Sequence, residues 1–206
     1  MADELVFYTN PQSRGLTTHW MLEEIGCPYR MEVKAYGPEM KSPDYLAINP
    51  MGKVPALKHG NTVVTETGAI LCYLADAFPA AKLAPPVGER GAYYRWLFFI
   101  VGCAEPAMSN KSAGWDPSDE MTRRFGYGSY QLTMDTLEKA VAGKRYIAAD
   151  HFTAADLFAA SFLSFGMMFN VIDKRPAFEA YVKPHIDRPA SLRAQEKAAN
   201  LVAKPA

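Results

Sequence analysis

Residues 49–74, NPMGKVPALKHGNTVVTETGAILCYL, decide the reading of this chain. Gly52 and Pro55 bracket a short apolar segment, residues 54–57, and Lys58, His59, Gly60 and Asn61 make a turn. Residues 62–65 form a second, β-branched run. Two such runs around a Gly-Asn turn predict a β-hairpin. A helix follows at once, because Ala69, Ile70, Tyr73, Leu74 and Ala77 recur at spacings of three and four. The unit is strand, turn, strand, helix.

Three residues or pairs in that unit suit a ligand. Pro55 lies in a short strand, which argues for an edge position or a special backbone geometry. A cis Val54–Pro55 bond turns the Val54 peptide outward and leaves its N–H and C=O free for a partner, although only ~5% of X-Pro bonds in folded proteins are cis. Thr67 opens the helix, where unpaired N–H groups and the helix dipole favour a carboxylate. Thr65 or Thr67 also suits a plain helix cap. Lys53 stands just before the strand, placed for an anion or for solvent. Taken together they describe a slot for an extended peptide with carboxylates at its ends.

The flanking sequence extends the pattern. Residues 5–8 read as a strand, residues 9–15 as a polar loop, and residues 16–25 as an amphipathic helix stopped by Gly26 and Pro28. Residues 29–34 alternate apolar with charged positions as a half-buried strand does. This makes a βαβ unit, joined to the hairpin and helix by a loop with a short helix from Pro43. Residues 78–89 carry Pro79, Pro85, Pro86 and Gly88 and read as the linker. Helical patterns dominate beyond it. Residues 92–107, with aromatics on several faces, predict a buried helix. Residues 120–142 predict a long helix, weakened by Gly126 and Gly128. Thr153 with Asp156 predicts a capping box opening a core helix over 157–169. Shorter helices are expected over 176–183 and 189–199. The expected fold class is an α/β amino-terminal domain of βαβ-ββα type, residues 1–78, a linker at 79–88, and an all-α domain at 89–206.

Composition narrows the function classes. The chain has 206 residues, 49% hydrophobic and 21% charged, with 22 basic and 22 acidic side chains. A balanced charge without basic runs gives no reason to expect a nucleic-acid partner. The start lacks the pattern of a signal peptide, and the apolar stretches are too short or too interrupted for a membrane span. Cys27, Cys72 and Cys103 are scattered and odd in number, so buried reduced thiols in a cytoplasmic protein are expected in place of disulfides or zinc. His19, His59, His151 and His185 show no ligand spacing, and no metal is expected.

NPMGKVPAL and ETGAILCYLADAF resemble the second half of the thioredoxin-like domain of the glutathione transferase superfamily. The element order is similar to that family along nearly the whole chain, and FTAADL resembles its helix-capping motif. The resemblance implies an enzyme that uses glutathione as co-substrate. It implies that Val54 and Pro55 pair with the cysteinyl part of glutathione. It also implies that Glu66 and Thr67 hold the γ-glutamyl end and Lys53 the glycyl carboxylate. Lys41, in the loop before Pro43, is placed for a second cation on that carboxylate or for solvent. A homodimer is expected on the same ground. The electrophile site is expected between the two halves, with Tyr94, Phe98, Met108 and Trp115 as candidate liners.

The implied reaction is attack of the glutathione thiolate on a small hydrophobic electrophile. A free thiol has a pKa near 8.5 and reacts as the thiolate. Lowering that pKa by ~2 units corresponds to ~2.7 kcal/mol, which one charge-assisted hydrogen bond of ~1.5–3 kcal/mol supplies. YTNPQSRG offers three donors. Ser13, at the start of the first helix, resembles the catalytic serine of tau-class and related bacterial transferases and the cysteine of the beta class; it is the expected catalytic residue, and helix capping is its other natural role. Tyr8 and Asn10 are the alternatives. Asn10 and Ser13 stand where glutaredoxins have Cys-Pro-X-Cys, so no protein thiol is available there for dithiol exchange. Peroxidase, isomerase or dehalogenase chemistry would use the same thiolate, and a non-catalytic glutathione- or ligand-binding protein would keep the fold without the reaction.

Overall fold

A computed structural model of the chain describes residues 4–203. Four strands form one mixed sheet: β1 (Leu5–Thr9), β2 (Arg30–Val33), β3 (Ala56–His59) and β4 (Thr62–Thr65), in the order β2-β1-β3-β4. β1 runs parallel to β2 and antiparallel to β3, with Tyr8 opposite both Glu32 and Ala56. Ala56 in turn faces Thr65 of β4. Gly60 takes φ +56 in the hairpin turn, which a glycine adopts without steric cost. The thioredoxin-like half and the helical half expected from the sequence are both present.

Three helices accompany the sheet: α1 (Gly15–Ile25), the short α2 (Pro43–Ile48) and α3 (Thr67–Ala77). α1 ends where expected, on Gly26 at φ +71. Val6, Phe7, Met21, Leu22, Leu57, Ile70, Leu71 and Leu74 form the core of this unit. Each such side chain stabilises the fold by roughly 1.5–3 kcal/mol when fully buried.

The chain divides into two compact units, one reaching to Ala81 and resuming at Pro189, the other Lys82–Arg188. The first boundary falls inside the proline-bearing stretch read as linker. The second differs from the sequence reading, which left 189–206 with the helical half. The last helix, α9 (Pro189–Ala203), packs on α1. Its small residues Ala190, Ser191, Ala194 and Ala198 are buried. The Glu23 carboxylate, only 7% exposed, accepts from Arg193 Nε at 3.1 Å and Lys197 Nζ at 2.5 Å. Burial opposes the charged form of Glu23, but hydrogen bonds from Lys197, Tyr29 and Arg193 outweigh it and hold the carboxyl at about 2. Burial pushes the neighbouring His19 down to about 4.

The second unit is all helical among the described residues. It contains α4 (Gly91–Phe99), a π-helical turn (Ile100–Ala104), α5 (Glu105–Ser112), α6 (Tyr130–Val141), α7 (Ala154–Met168) and α8 (Pro176–Ile186). α7 is its centre, with Leu157, Phe158, Phe162 and Leu163 fully buried. The capping box is formed as expected, and the Asp156 carboxylate also accepts from Ile147 N–H and Tyr181 O–H.

Three expectations fail here. Residues 120–142 are not one helix: Gly128 takes φ +67, and Ser129 Oγ accepts the Leu132 N–H, so α6 begins only at Tyr130. The aromatic segment after the linker is not buried all round. Tyr93, Trp96 and Leu97 lie inside, whereas Phe98 is 66% exposed. No helix among the described residues is long and apolar enough to cross a membrane. Cys27, Cys72 and Cys103 are free and half-buried rather than buried.

Candidate active site

The strand register brings the sequence-nominated residues to one end of the sheet. Tyr8, Ala56 and Thr65 are neighbours across β1, β3 and β4. The chain therefore leaves β1 toward Asn10 and Ser13, enters β3 from Val54 and Pro55, and leaves β4 into Glu66 and Thr67, all at that end.

The entry to β3 is braced from behind. The Val54–Pro55 peptide is cis. The preceding carbonyl, that of Lys53, accepts Tyr45 O–H at 2.6 Å and Asn49 Nδ2–H at 2.8 Å. Tyr45 and Asn49 are nearly fully buried, and burial pushes the Tyr45 phenol up to about 12, so it stays a donor. Lys41 Nζ donates to the carbonyls of Met51 at 2.9 Å and Gly52 at 3.3 Å. Gly52 sits at φ +58, where a Cβ would lie 2.5 Å from the Met40 carbonyl oxygen and 2.7 Å from Lys41 Nζ, so a side chain would clash in a conformation that already favours glycine. Lys41 thus holds the turn. The Lys53 side chain is exposed. Among the described residues neither the N–H nor the C=O of Val54 makes a hydrogen bond.

The entry to α3 is left open. Glu66 takes φ +68 and ψ 123, with its side chain exposed and making no capping bond. A bulky residue held at positive φ costs roughly 1–3 kcal/mol and persists where the surroundings enforce it. The first helical bond is Ile70 N–H to the Glu66 carbonyl, at 2.9 Å. The N–H groups of Thr67, Gly68 and Ala69 precede it and have no intrahelical acceptor. Neither threonine considered as a cap fills that role in the structure.

The entry to α1 is closed on itself. Ser13 Oγ donates to the Asn10 carbonyl at 2.6 Å and accepts the Gly15 N–H at 2.9 Å. A Cβ on Gly15 would lie 2.2 Å from Thr9 Oγ1, so the close turn requires glycine. The Asn10 carboxamide is engaged at both ends, donating to the Lys34 carbonyl and accepting the Gln12 N–H, each at 2.9 Å. Tyr8 is half-buried against Tyr45, with ring centroids 5.8 Å apart, and burial raises its phenol.

Of the nominated residues, Ser13, Val54, Pro55, Glu66 and Thr67 gather at this end, Lys53 beside them. Lys41 and Asn10 are tied into the scaffold. Sequence reasoning gave no role to Tyr45 or Asn49, which fix the Lys53 carbonyl. Asn49 opened the deciding stretch but carries no pattern that marks its target.

A family description, "Glutathione S-transferase, N-terminal domain", matches residues 14–77. Glutathione S-transferase GST-4.5 of Xanthomonas campestris pv. campestris is 30% identical over 159 residues, covering 73% of this chain and 77% of that protein. The chain belongs to the glutathione S-transferase family. Solved members agree with this fold. A glutathione transferase from Methylococcus capsulatus superposes with TM-score 0.76 at 30% identity, covering 95% of this chain and 99% of that one. A sphingomonad glutathione S-transferase complexed with glutathione superposes with TM-score 0.74 at 27% identity, covering 94% and 98%. The protein is accordingly an enzyme of the glutathione transferase type. Among the described residues no cluster of three or more His, Cys, Asp or Glu is placed to hold a metal ion.

Proposed function

We propose that the protein binds glutathione at the open end of its sheet and adds the thiolate to small hydrophobic electrophiles. The observation that carries this reading is the contrast in hydrogen bonding there. The Val54 peptide groups and the first N–H groups of α3 have no partner among the described residues, while the backbone behind them is braced by Tyr45, Asn49 and Lys41. An extended peptide supplies what is missing: an amide for Val54 and a carboxylate for the start of α3. In this reading Glu66 and Thr67 hold the γ-glutamyl end, and Glu66 meets its ammonium. Lys53 meets the glycyl carboxylate, and Ser13 donates to the sulfur. The chain works as a cytoplasmic homodimer.

Steady-state conjugation of glutathione to an aryl halide tests this. The wild type is expected to saturate with glutathione, and Thr67→Ala and Lys53→Ala to raise KM for glutathione about ten-fold, the loss of one charge-assisted bond, with KM for the halide unchanged. A wild type without turnover, or variants with unchanged glutathione KM, would contradict it. Peroxide reduction without conjugation would keep the site and change the reaction.

A further inference from the structure

Asn10 is buried, 8% exposed, and both ends of its carboxamide are engaged. Nδ2–H donates to the Lys34 carbonyl and Oδ1 accepts the Gln12 N–H. Its main-chain carbonyl accepts twice from Ser13, from N–H at 3.1 Å and from Oγ–H at 2.6 Å. Ser13 Oγ accepts the Gly15 N–H. A serine hydroxyl carries a single proton. Here that proton is committed to Asn10, and what Oγ still offers is a lone pair. A lone pair facing a thiol accepts S–H and favours the neutral form, whereas lowering the thiol pKa requires a donor.

The hydroxyl can become that donor by turning about its Cβ–Oγ bond, from the Asn10 carbonyl to the sulfur. Oγ stays in place during that turn, so the Gly15 N–H bond persists and polarises the O–H. The Asn10 carbonyl retains the Ser13 N–H and is not left unsatisfied. The geometry points to Asn10 as a positioning residue: its carboxamide fixes the carbonyl that holds Ser13 in place and accepts the Ser13 proton at rest, until the glutathione sulfur takes over that hydrogen bond. This inference rests on the proposed role of Ser13. In the step the thiol proton leaves to solvent, the serine proton stays bonded to Oγ and changes acceptor, and no other bond forms or breaks. Loss of the carboxamide loosens the 10–13 turn and the aim of the hydroxyl. It leaves Lys53, Glu66 and Thr67 untouched.

The test is a pH titration of the ultraviolet thiolate absorbance of bound glutathione in wild type, Asn10→Ala, Ser13→Ala and the double variant, with glutathione Kd measured alongside. Asn10→Ala is expected to raise the pKa of bound glutathione by about one unit, ten-fold less thiolate below the pKa, with Kd within about two-fold. Ser13→Ala is expected to raise it further. The double variant is expected to match Ser13→Ala, because a residue acting through Ser13 has nothing left to act on. An unchanged pKa in Asn10→Ala beside a shifted one in Ser13→Ala would overturn the role of Asn10 alone, as would additive shifts in the double variant. An unchanged pKa in Ser13→Ala would overturn the serine reading and this inference with it. Should Asn10→Ala not fold, Asn10→Ser carries the same test, because it removes the carboxamide and adds no charge near the thiol.

Discussion

Helix α3 opens at Thr67 after Glu66, helix α7 follows Thr153 with Asp156 in its first turn, and they begin in opposite ways. At α7 the capping side chains are paired on every side. Asp156 and Thr153 are fully buried, and the carboxylate accepts from the Thr153 N–H and hydroxyl, the Ile147 N–H and the Tyr181 hydroxyl, at 2.7–2.9 Å. At α3 no side chain caps the helix, Glu66 is held at φ +68, and its carboxylate faces solvent. The first start pairs the Thr153 N–H with Asp156 and the Ala154 N–H with the Leu83 carbonyl, and serves folding. The second leaves its first N–H groups unsatisfied and holds a residue in an unfavourable conformation, which stability alone does not explain. Unsatisfied capacity on a braced backbone is the observation on which the proposed glutathione site rests.

Several substitutions sharpen this contrast, and the largest effect is at α7. Asp156→Ala strands four donors and is expected to lower the unfolding free energy by at least about 3 kcal/mol, read from urea denaturation. A loss under 1 kcal/mol would show that this start is not the closed one. Next in size is the acid sensitivity of the α1–α9 contact. His19 has a folded pKa of about 4 against 6.5 when unfolded. Its contribution is thus fully present above pH 6.5 and lost as pH falls toward 4, up to about 3 kcal/mol. Glu23, depressed to about 2, contributes above its ordinary value of 4.5 and loses that contribution as pH falls through 2. Stability should therefore decline from pH 6.5 to 4, and His19→Asn should flatten that decline. An equal slope in the variant would remove His19 from the account.

The threonines give a smaller, paired comparison. Thr153→Ala is expected to cost about 1–2 kcal/mol as a lost cap. Thr67→Ala, which breaks no capping bond, is expected to change stability by less than about 0.5 kcal/mol while weakening glutathione binding. Equal stability losses would erase the contrast. Smallest in stability is Glu66→Gly, where relief of positive φ offsets the greater freedom of the unfolded chain. Its melting temperature should hold or rise as glutathione affinity falls, and a fall in both would show that Glu66 serves the fold.

Local patterns made much of this legible. The hairpin, α3, the capping box of α7 and the glycine stop of α1 each follow from residues a few positions apart. What escaped depends on distance or competition. Arg193 and Lys197 read as the polar face of a helix, and nothing near them names Glu23 as the partner. Residues 120–142 carry helical spacing, but Gly128 and the Ser129 cap start the helix later. At the site, the nominated backbone positions converge because the strand register carries them there. The same residue types left open what Asn10 and Lys41 do, since a carboxamide or ammonium finds its partner only in three dimensions, and both found main-chain carbonyls.

The most direct measurement follows glutathione titrated into wild type and Ser13→Ala by heat and by thiolate absorbance at once, near neutral pH. The account predicts that both bind with similar affinity and that only the wild type binds glutathione as the thiolate. Thiolate retained in Ser13→Ala, or no binding to the wild type, would contradict it.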